Sequence, residues 1–430
     1  MKASIYFVLL LIISLNVFYC KTLKRTLRHL GDDDEIATIT SDNENELAQA
    51  IRLLNQNGGT IYIDTPVIHI VNATLTFLGT VSGGIIGERQ ANGEYPRLSF
   101  INSKKSVEFS GIVFYASNKF VEYIIIEHSL TFGIEVYGHN NIFDHVISRY
   151  NSGPGFVVSG DFNTFNYCYS YRNFNKEIRY NINGDGFRIN GEIGNVFKYC
   201  FAWDNSNTGF NYMRYLNSSD LSYINSGSWN NGNINVFTGR YDFDSSYPLD
   251  KNLWTIQAII DSDKNFVSNY YNGKFNIDNA KIDQYSINQW ISIVSPRIAG
   301  EGFTFGNQNS SQSIDVKRTS LYNVAFNNRG GGFVDNYDHK YNAFFTDCVS
   351  FNNNINYRIP YTLSRWSNNW SWNSMNAEEV NGNASLKRPA NTNAAQRQFY
   401  AVRNQITNAV FANMFPDGIN FDRAIRSLSQ

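Results

Sequence analysis

The stretch Asn195–Phe201 alternates along its length: Val196, Lys198 and Cys200 fall on one side of an extended chain, and Phe197, Tyr199 and Phe201 on the other. A period of two predicts a strand rather than a helix. The unit returns along the chain. Asn-x-Phe opens a strand at Asn141, Asn163 and Asn195, and again at Asn342. A glycine followed by an apolar residue opens another at Gly133, Gly155, Gly186, Gly209, Gly302 and Gly332. Asparagine then marks the following turn at Asn151, Asn173, Asn205, Asn328 and Asn352. Gly133 and Gly155 stand 22 residues apart, and Gly186 and Gly209 stand 23 apart. Near-22 spacing with several short strands per period predicts about eight to ten coils of a parallel β-helix. Asparagines stacked at one turn would hold those coils in register. A propeller needs ~40–45 residues per blade and blade signatures that this chain lacks.

The ends of the repeat read differently. Ser41 to Leu54 predicts a capping helix, with Ser41 as the cap, Glu44 in the capping-box position, and Leu47, Ala50, Ile51 and Leu54 on one face. The long gap from Gly209 to Gly302 holds an insertion, about residues 215–299, with amphipathic helices at Asp250–Ile260 and Ser286–Val294. The repeat fades after Trp366, Trp370 and Trp372, and helices are expected at Ala394–Phe411 and Asp417–Ser429. The resulting division is an export signal at 1–20, a flexible pre-segment at 21–40, a β-helix domain at 41–375 and a helical tail at 376–430. The fold class is all-β.

Lys2 followed by the apolar run Ile5–Phe18 reads as a secretory signal peptide cut near Cys20, shorter than the ~20 residues a membrane span needs. The mature protein is therefore expected to be secreted and extracellular, with no membrane contact after cleavage. Lys21, Lys24, Arg25, Arg28 and His29 precede Asp32, Asp33, Asp34 and Glu35, a charge pattern that suits a pre-segment. A net charge of -1 excludes a strongly basic nucleic-acid binder. Beyond the signal, Cys168, Cys200 and Cys348 make an odd set, so a full disulfide framework is excluded and buried thiols are expected. Asn72, Asn217, Asn309, Asn369 and Asn383 head sequons that would make this a glycoprotein.

Several phrases then resemble one family. Asp185-Gly186-Phe187, Gly194 to Asn205 (GNVFKYCFAWDN), Asn207 to Phe210 (NTGF), Gly300 to Asn307 (GEGFTFGN) and Asn323 to Phe333 (NVAFNNRGGGF) are similar in wording and order to the pectate lyases of polysaccharide lyase family 9. The resemblance runs from Gly133 to Trp372 apart from the insertion. It implies a right-handed parallel β-helix and calcium-dependent β-elimination of polygalacturonate. It further implies a calcium held by four aspartates, one before Gly-Phe and three in an Asp-Asp-Gly-Trp-Asp cluster, and a base lysine in a Gly-Phe-Lys step. Carried over by position, Asp185 matches the first aspartate. Asn207, Thr208 and Asn211 stand where the other three would be, and Thr304 stands in place of the lysine.

Elimination needs a cation to neutralise the uronate carboxylate and a base near the C5 proton. Calcium takes six to eight oxygens. Here the candidate ligands are Asp185, Asn207, Thr208, Asn211 and the nearby Asp204, and Asp185 serves equally well as a turn aspartate bonding backbone amides. Thr304 is too weak a base near neutral pH. Replacement bases would be Arg188, Lys317 or Arg318, each otherwise read as a solvated charge on the outer face. Trp203, Phe210 and Tyr212 are the candidate sugar-binding aromatics. Three functions stay open: a pectate-lyase-like enzyme, a carbohydrate-binding β-helix without turnover, and an inverting glycosidase using Glu301, Asp335 and Asp338.

Overall fold

Each turn of the chain lays down three short strands, and like strands of successive turns pair in parallel. The structure is a computed structural model that describes residues 35–72, 75–91, 93–100, 110–129, 131–173, 184–190, 193–212, 220–229, 231–232, 300–306, 317–335, 342–360, 364–381 and 385–388. Within them lie three parallel sheets, called A, B and C here, with 11, 11 and 10 strands. Sheet A runs from Glu35–Ile39 to Arg365–Ser367, sheet B from Val67–His69 to Leu386–Lys387, and sheet C from Leu75–Phe77 to Glu379–Val380. This is the parallel β-helix that the repeat predicts, at the upper end of the expected coil number. The signal, the insertion helices and the C-terminal helices lie outside the described residues.

The alternation over Asn195–Phe201 resolves into two strands, Asn195–Lys198 in sheet A and Phe201–Trp203 in sheet B. Tyr199 causes the break, because its φ of 55° is left-handed and turns the chain. The turn swings Cys200 to the inside with Phe197, where both are fully buried. Tyr123, His145 and Tyr167 hold the same corner on earlier coils with φ of 58°, 55° and 50°. Their rings stack with Tyr199 at centroid spacings of 4.9, 4.7 and 4.7 Å, which offsets part of the backbone cost.

Sheet C starts at the glycine row, and its register confirms the stacking: Ile134, Phe156, Phe187, Phe210, Phe303 and Phe333 sit opposite one another on successive coils. A close approach explains two of these glycines. A Cβ on Gly155 or Gly209 would lie 2.0 Å from the Oγ of Ser170 or Ser228. Those hydroxyls donate instead to the carbonyls of Gly186 and Gly302, at 2.7 and 3.0 Å, and tie sheet B to sheet C. Inside, the phenylalanines form a stack from Phe156 to Phe333 with neighbouring centroids 4.7 to 5.1 Å apart.

The asparagine ladder is present and buried. The side-chain oxygens of Asn173, Asn205, Asn231, Asn328 and Asn353 accept the backbone N–H of the asparagine one coil earlier. Its last rungs are Asn353 and Asn356 rather than Asn352, which takes a left-handed φ of 55° beside them. Asn369 belongs to a parallel row, accepting from the Cys348 N–H and donating to the Phe345 carbonyl, so its sequon is buried while that of Asn72 is exposed.

The capping helix α1 spans Glu44–Asn57 and buries the four residues expected. Its cap is Asn43 rather than Ser41, because the Asn43 side-chain oxygen accepts the backbone N–H groups of Asn45 and Glu46. Glu35–Ile39, assigned above to the pre-segment, pairs with Gly59–Ile63 and buries Ile39. At the other end, Glu379–Val380 and Leu386–Lys387 add one strand each to sheets C and B, beyond the expected boundary at 375.

Candidate functional site

The outward column of sheet C carries the positions singled out for chemistry. Glu135, Val157, Arg188 and Asn211 are in register on four successive coils, and Thr304 follows on the next. Just before the glycines, a second row runs Asp185, Thr208, Glu301, because the N–H of Gly186 bonds the Thr208 carbonyl and that of Gly209 bonds the Glu301 carbonyl. The structure therefore brings Asp185, Asn207, Thr208, Asn211 and Thr304 to one end of one sheet.

Asp185 is fully buried, and its carboxylate is answered by nitrogen. Oδ1 accepts from Asn207 Nδ2 at 2.6 Å and from the Thr208 backbone N–H at 3.1 Å; Oδ2 accepts from Asn211 Nδ2 at 2.9 Å. Burial raises its pKa above the ordinary value, against the Asn211 bond, the charge of Arg188 and the other two donors. One coil on, the Thr208 hydroxyl donates to Glu301 Oε2 at 3.0 Å. Burial also raises the Glu301 pKa; the charge of Asp185 adds to the rise, while the Thr208 bond and Arg358 oppose it. Thr208 thus joins two buried carboxyl groups, one through its backbone and one through its side chain.

A calcium ion requires a shell of oxygens rich in charge. Three N–H groups converge on Asp185 instead, and Asp204 is turned away to Arg172, with Oδ2 3.6 Å from Nε. Among the described residues no group of three or more His, Cys, Asp or Glu side chains is placed to hold a metal. As placed, the Asp185 carboxylate meets nitrogen donors where calcium takes a shell of oxygens.

Thr304 is buried, and its Oγ1 accepts the Tyr212 backbone N–H at 2.7 Å. Its hydroxyl completes the hydrogen bonding between neighbouring strands of sheet C. Arg188 lies on the outward column, with Nε donating to Asn190 Oδ1 at 3.3 Å. Lys317 is exposed at the start of a sheet A strand, away from this site, with Nζ over the Phe344 ring. Arg318, expected on the outer face, is buried: its guanidinium lies 4.2 Å from the Tyr212 ring centroid and donates to the Gly306 carbonyl. Phe210 and Tyr212 point into the hydrophobic core rather than onto a groove floor, since Asn211 between them faces out. Trp203 is buried in sheet B, stacked between Tyr171 and Trp229 at 4.2 and 5.2 Å. Asp335 is buried on sheet C, and Asp338 lies outside the described residues.

Glu301 is the neighbour of this site that sequence reasoning had grouped with Asp335 and Asp338. The signal for its true place is its position before Gly302-Phe303, equivalent to Asp185 before Gly186-Phe187 and Thr208 before Gly209-Phe210.

The model of the Pel9A-like right-handed β-helix region matches residues 28–245, just over half of the chain. Among solved structures, pectate lyase Pel9A is similar with a TM-score of 0.52 and 19% identity, over 84% of this chain and 81% of that one. ORF18 of Geobacillus virus E2 is similar with a TM-score of 0.49 and 11% identity, over 85% of this chain and 62% of that one. The alginate lyase of Paenibacillus sp. str. FPU-7 is similar with a TM-score of 0.41 and 10% identity, over 82% of this chain and 99% of that one. At these identities the likeness is one of fold. A search of curated proteins gives no match.

Proposed function

Because this chain belongs to the Pel9A-like right-handed β-helix family, we propose that it is an exported protein that binds an acidic polysaccharide of the polygalacturonate class along sheet C, with elimination at background level. The observation that carries this reading is the Asp185 carboxylate closed by three N–H donors, where β-elimination would need a cation. Among the described residues, the place of the family's lysine holds Thr304. An aliphatic hydroxyl does not take a carbon-bound proton near neutral pH, and that of Thr304 is engaged with the Tyr212 backbone. The planar guanidinium of Arg188 suits a carboxylate partner better than the work of a proton acceptor. The test is calorimetric titration with polygalacturonate alongside absorbance of unsaturated uronates, with and without calcium. Binding with flat absorbance is expected; a calcium-dependent rise in absorbance would overturn the reading.

A second reading rests on Thr208. It joins Asp185 to Glu301 on adjacent coils, and two neighbouring carboxyl groups are what a glycosidase needs. Release of reducing ends that disappears in Glu301→Gln would favour hydrolysis over binding alone.

A further inference from the structure

Two large aromatic side chains stand out in solvent on the same face of sheet C. Tyr115 and Tyr137 are 59% and 41% exposed, and their rings stack with centroids 5.1 Å apart and planes within 10°. They occupy equivalent positions, each following the last residue of its strand, Phe114 and Val136. On the next two coils that position is held by Ser159 and Asn190, after Val158 and Ile189. The stack therefore stops at Tyr137. Among the described residues no third ring continues the stack over Ser159, which is partly exposed.

Polar groups frame that place. Asn190 Nδ2 donates to Ser159 Oγ at 2.9 Å, and Arg188 Nε donates to Asn190 Oδ1 at 3.3 Å. Arg188 stands two coils from Glu135 on the same outward column, and its charge acts on both the Tyr137 hydroxyl and Asp185. Glu135 is the negative group nearest the tyrosines. Its carboxylate already receives the Tyr137 hydroxyl at 3.0 Å and the Ser110 hydroxyl, and so is held against the tyrosine rather than offered to a ligand.

A flat apolar face beside a cation and amide groups has the chemistry of a uronic-acid ring: C–H groups on one side, hydroxyls on the rim and a carboxylate. We propose that Tyr137, backed by Tyr115, is a saccharide-binding subsite in which a pyranose ring stacks next in the column, over Ser159, and its carboxylate pairs with Arg188. The proposal rests on the reading of the protein as a binder of acidic polysaccharide and names where one sugar sits.

The test is calorimetry with oligogalacturonates and with their methyl esters, which keep the rings but lose the charge. The wild type binds the acid form more tightly. Tyr137→Ala weakens both forms by about fivefold to tenfold, Tyr137→Phe retains both, and Arg188→Gln brings the acid form down to the level of the ester. Ser159→Tyr, which puts a ring where the sugar is proposed to stack without removing one, loses binding as Tyr137→Ala does and guards against a folding defect. Wild-type affinity in both Tyr137→Ala and Ser159→Tyr overturns the subsite while leaving the general reading intact. A wild type that binds neither ligand overturns both.

Discussion

Two rows of turn residues run along this β-helix, and they differ in one respect. The row leaving sheet B repeats a single side chain, Asn151, Asn173, Asn205, Asn231, Asn328 and Asn353, and each carboxamide accepts a backbone N–H from the coil before. The row leading into sheet C changes at every step: Asp185, Thr208, Glu301. A uniform row solves the same backbone problem on every coil, so its side chain is fixed by the fold. A varied row solves no repeating problem, and its residues change without disturbing the stack. The protein thus keeps the architecture of its family while three of the four carboxylates expected from the resemblance are the amides of Asn207 and Asn211 and the hydroxyl of Thr208.

The largest effect expected from this contrast is a gain. Converting the varied region by Asn207→Asp, Thr208→Asp, Asn211→Asp and Thr304→Lys should leave the fold intact and raise calcium-dependent elimination of polygalacturonate above the wild-type background. A general base alone contributes typically ~10²–10⁴-fold in rate. The absorbance of unsaturated uronates measures it, and a folded variant with no gain would show that the site differs in more than these four residues.

Next in size is a loss in the uniform row. Asn205→Leu strands the Asn173 backbone N–H and the Ser170 carbonyl, both bonded to the Asn205 carboxamide. With roughly 1–3 kcal/mol for each buried group left unpaired, the variant should lose several kcal/mol. Thr208→Val in the varied row strands one buried group, Glu301 Oε2, and should cost roughly 1–3 kcal/mol, less than the pair stranded by Asn205→Leu. Urea midpoints measured together rank the rows, and equal losses would break the comparison.

The smallest effect is a pH dependence. Asp185 and Glu301 have folded-state pKa values above their ordinary ones, so the folded protein holds protons that the unfolded chain has released. Their contribution is therefore fully present below the unfolded pKa and is lost as pH rises through the raised folded values. Wild-type stability should fall over that interval relative to an Asp185→Asn, Glu301→Gln double variant. A difference that grows in the opposite direction would show that hydrogen bonding outweighs burial at these carboxylates.

Much of this was legible before the structure. The glycine and phenylalanine positions give the coil stacking because the same Gly-apolar step opens each sheet C strand, with near-22 spacing wherever no loop intervenes. The corner at Tyr199 was not legible, since alternation continues through it and a left-handed tyrosine has no sequence signature. Arg318 was misplaced because a charge reads as exposed unless the Tyr212 ring it stacks on is known to be inside. The partnership of Asp185 with Glu301 was hidden by the long insertion, which separates neighbouring coils in sequence. Tyr115 and Tyr137 carry a signal of their own, a tyrosine after the strand at one coil spacing, but only exposure distinguishes them from core aromatics.

Three N–H donors meet the Asp185 carboxylate, so calcium titration of the wild type should give no saturable heat and an unchanged melting temperature up to millimolar calcium, as in Asp185→Asn. Stoichiometric binding that raises the melting temperature and vanishes in Asp185→Asn would contradict that expectation.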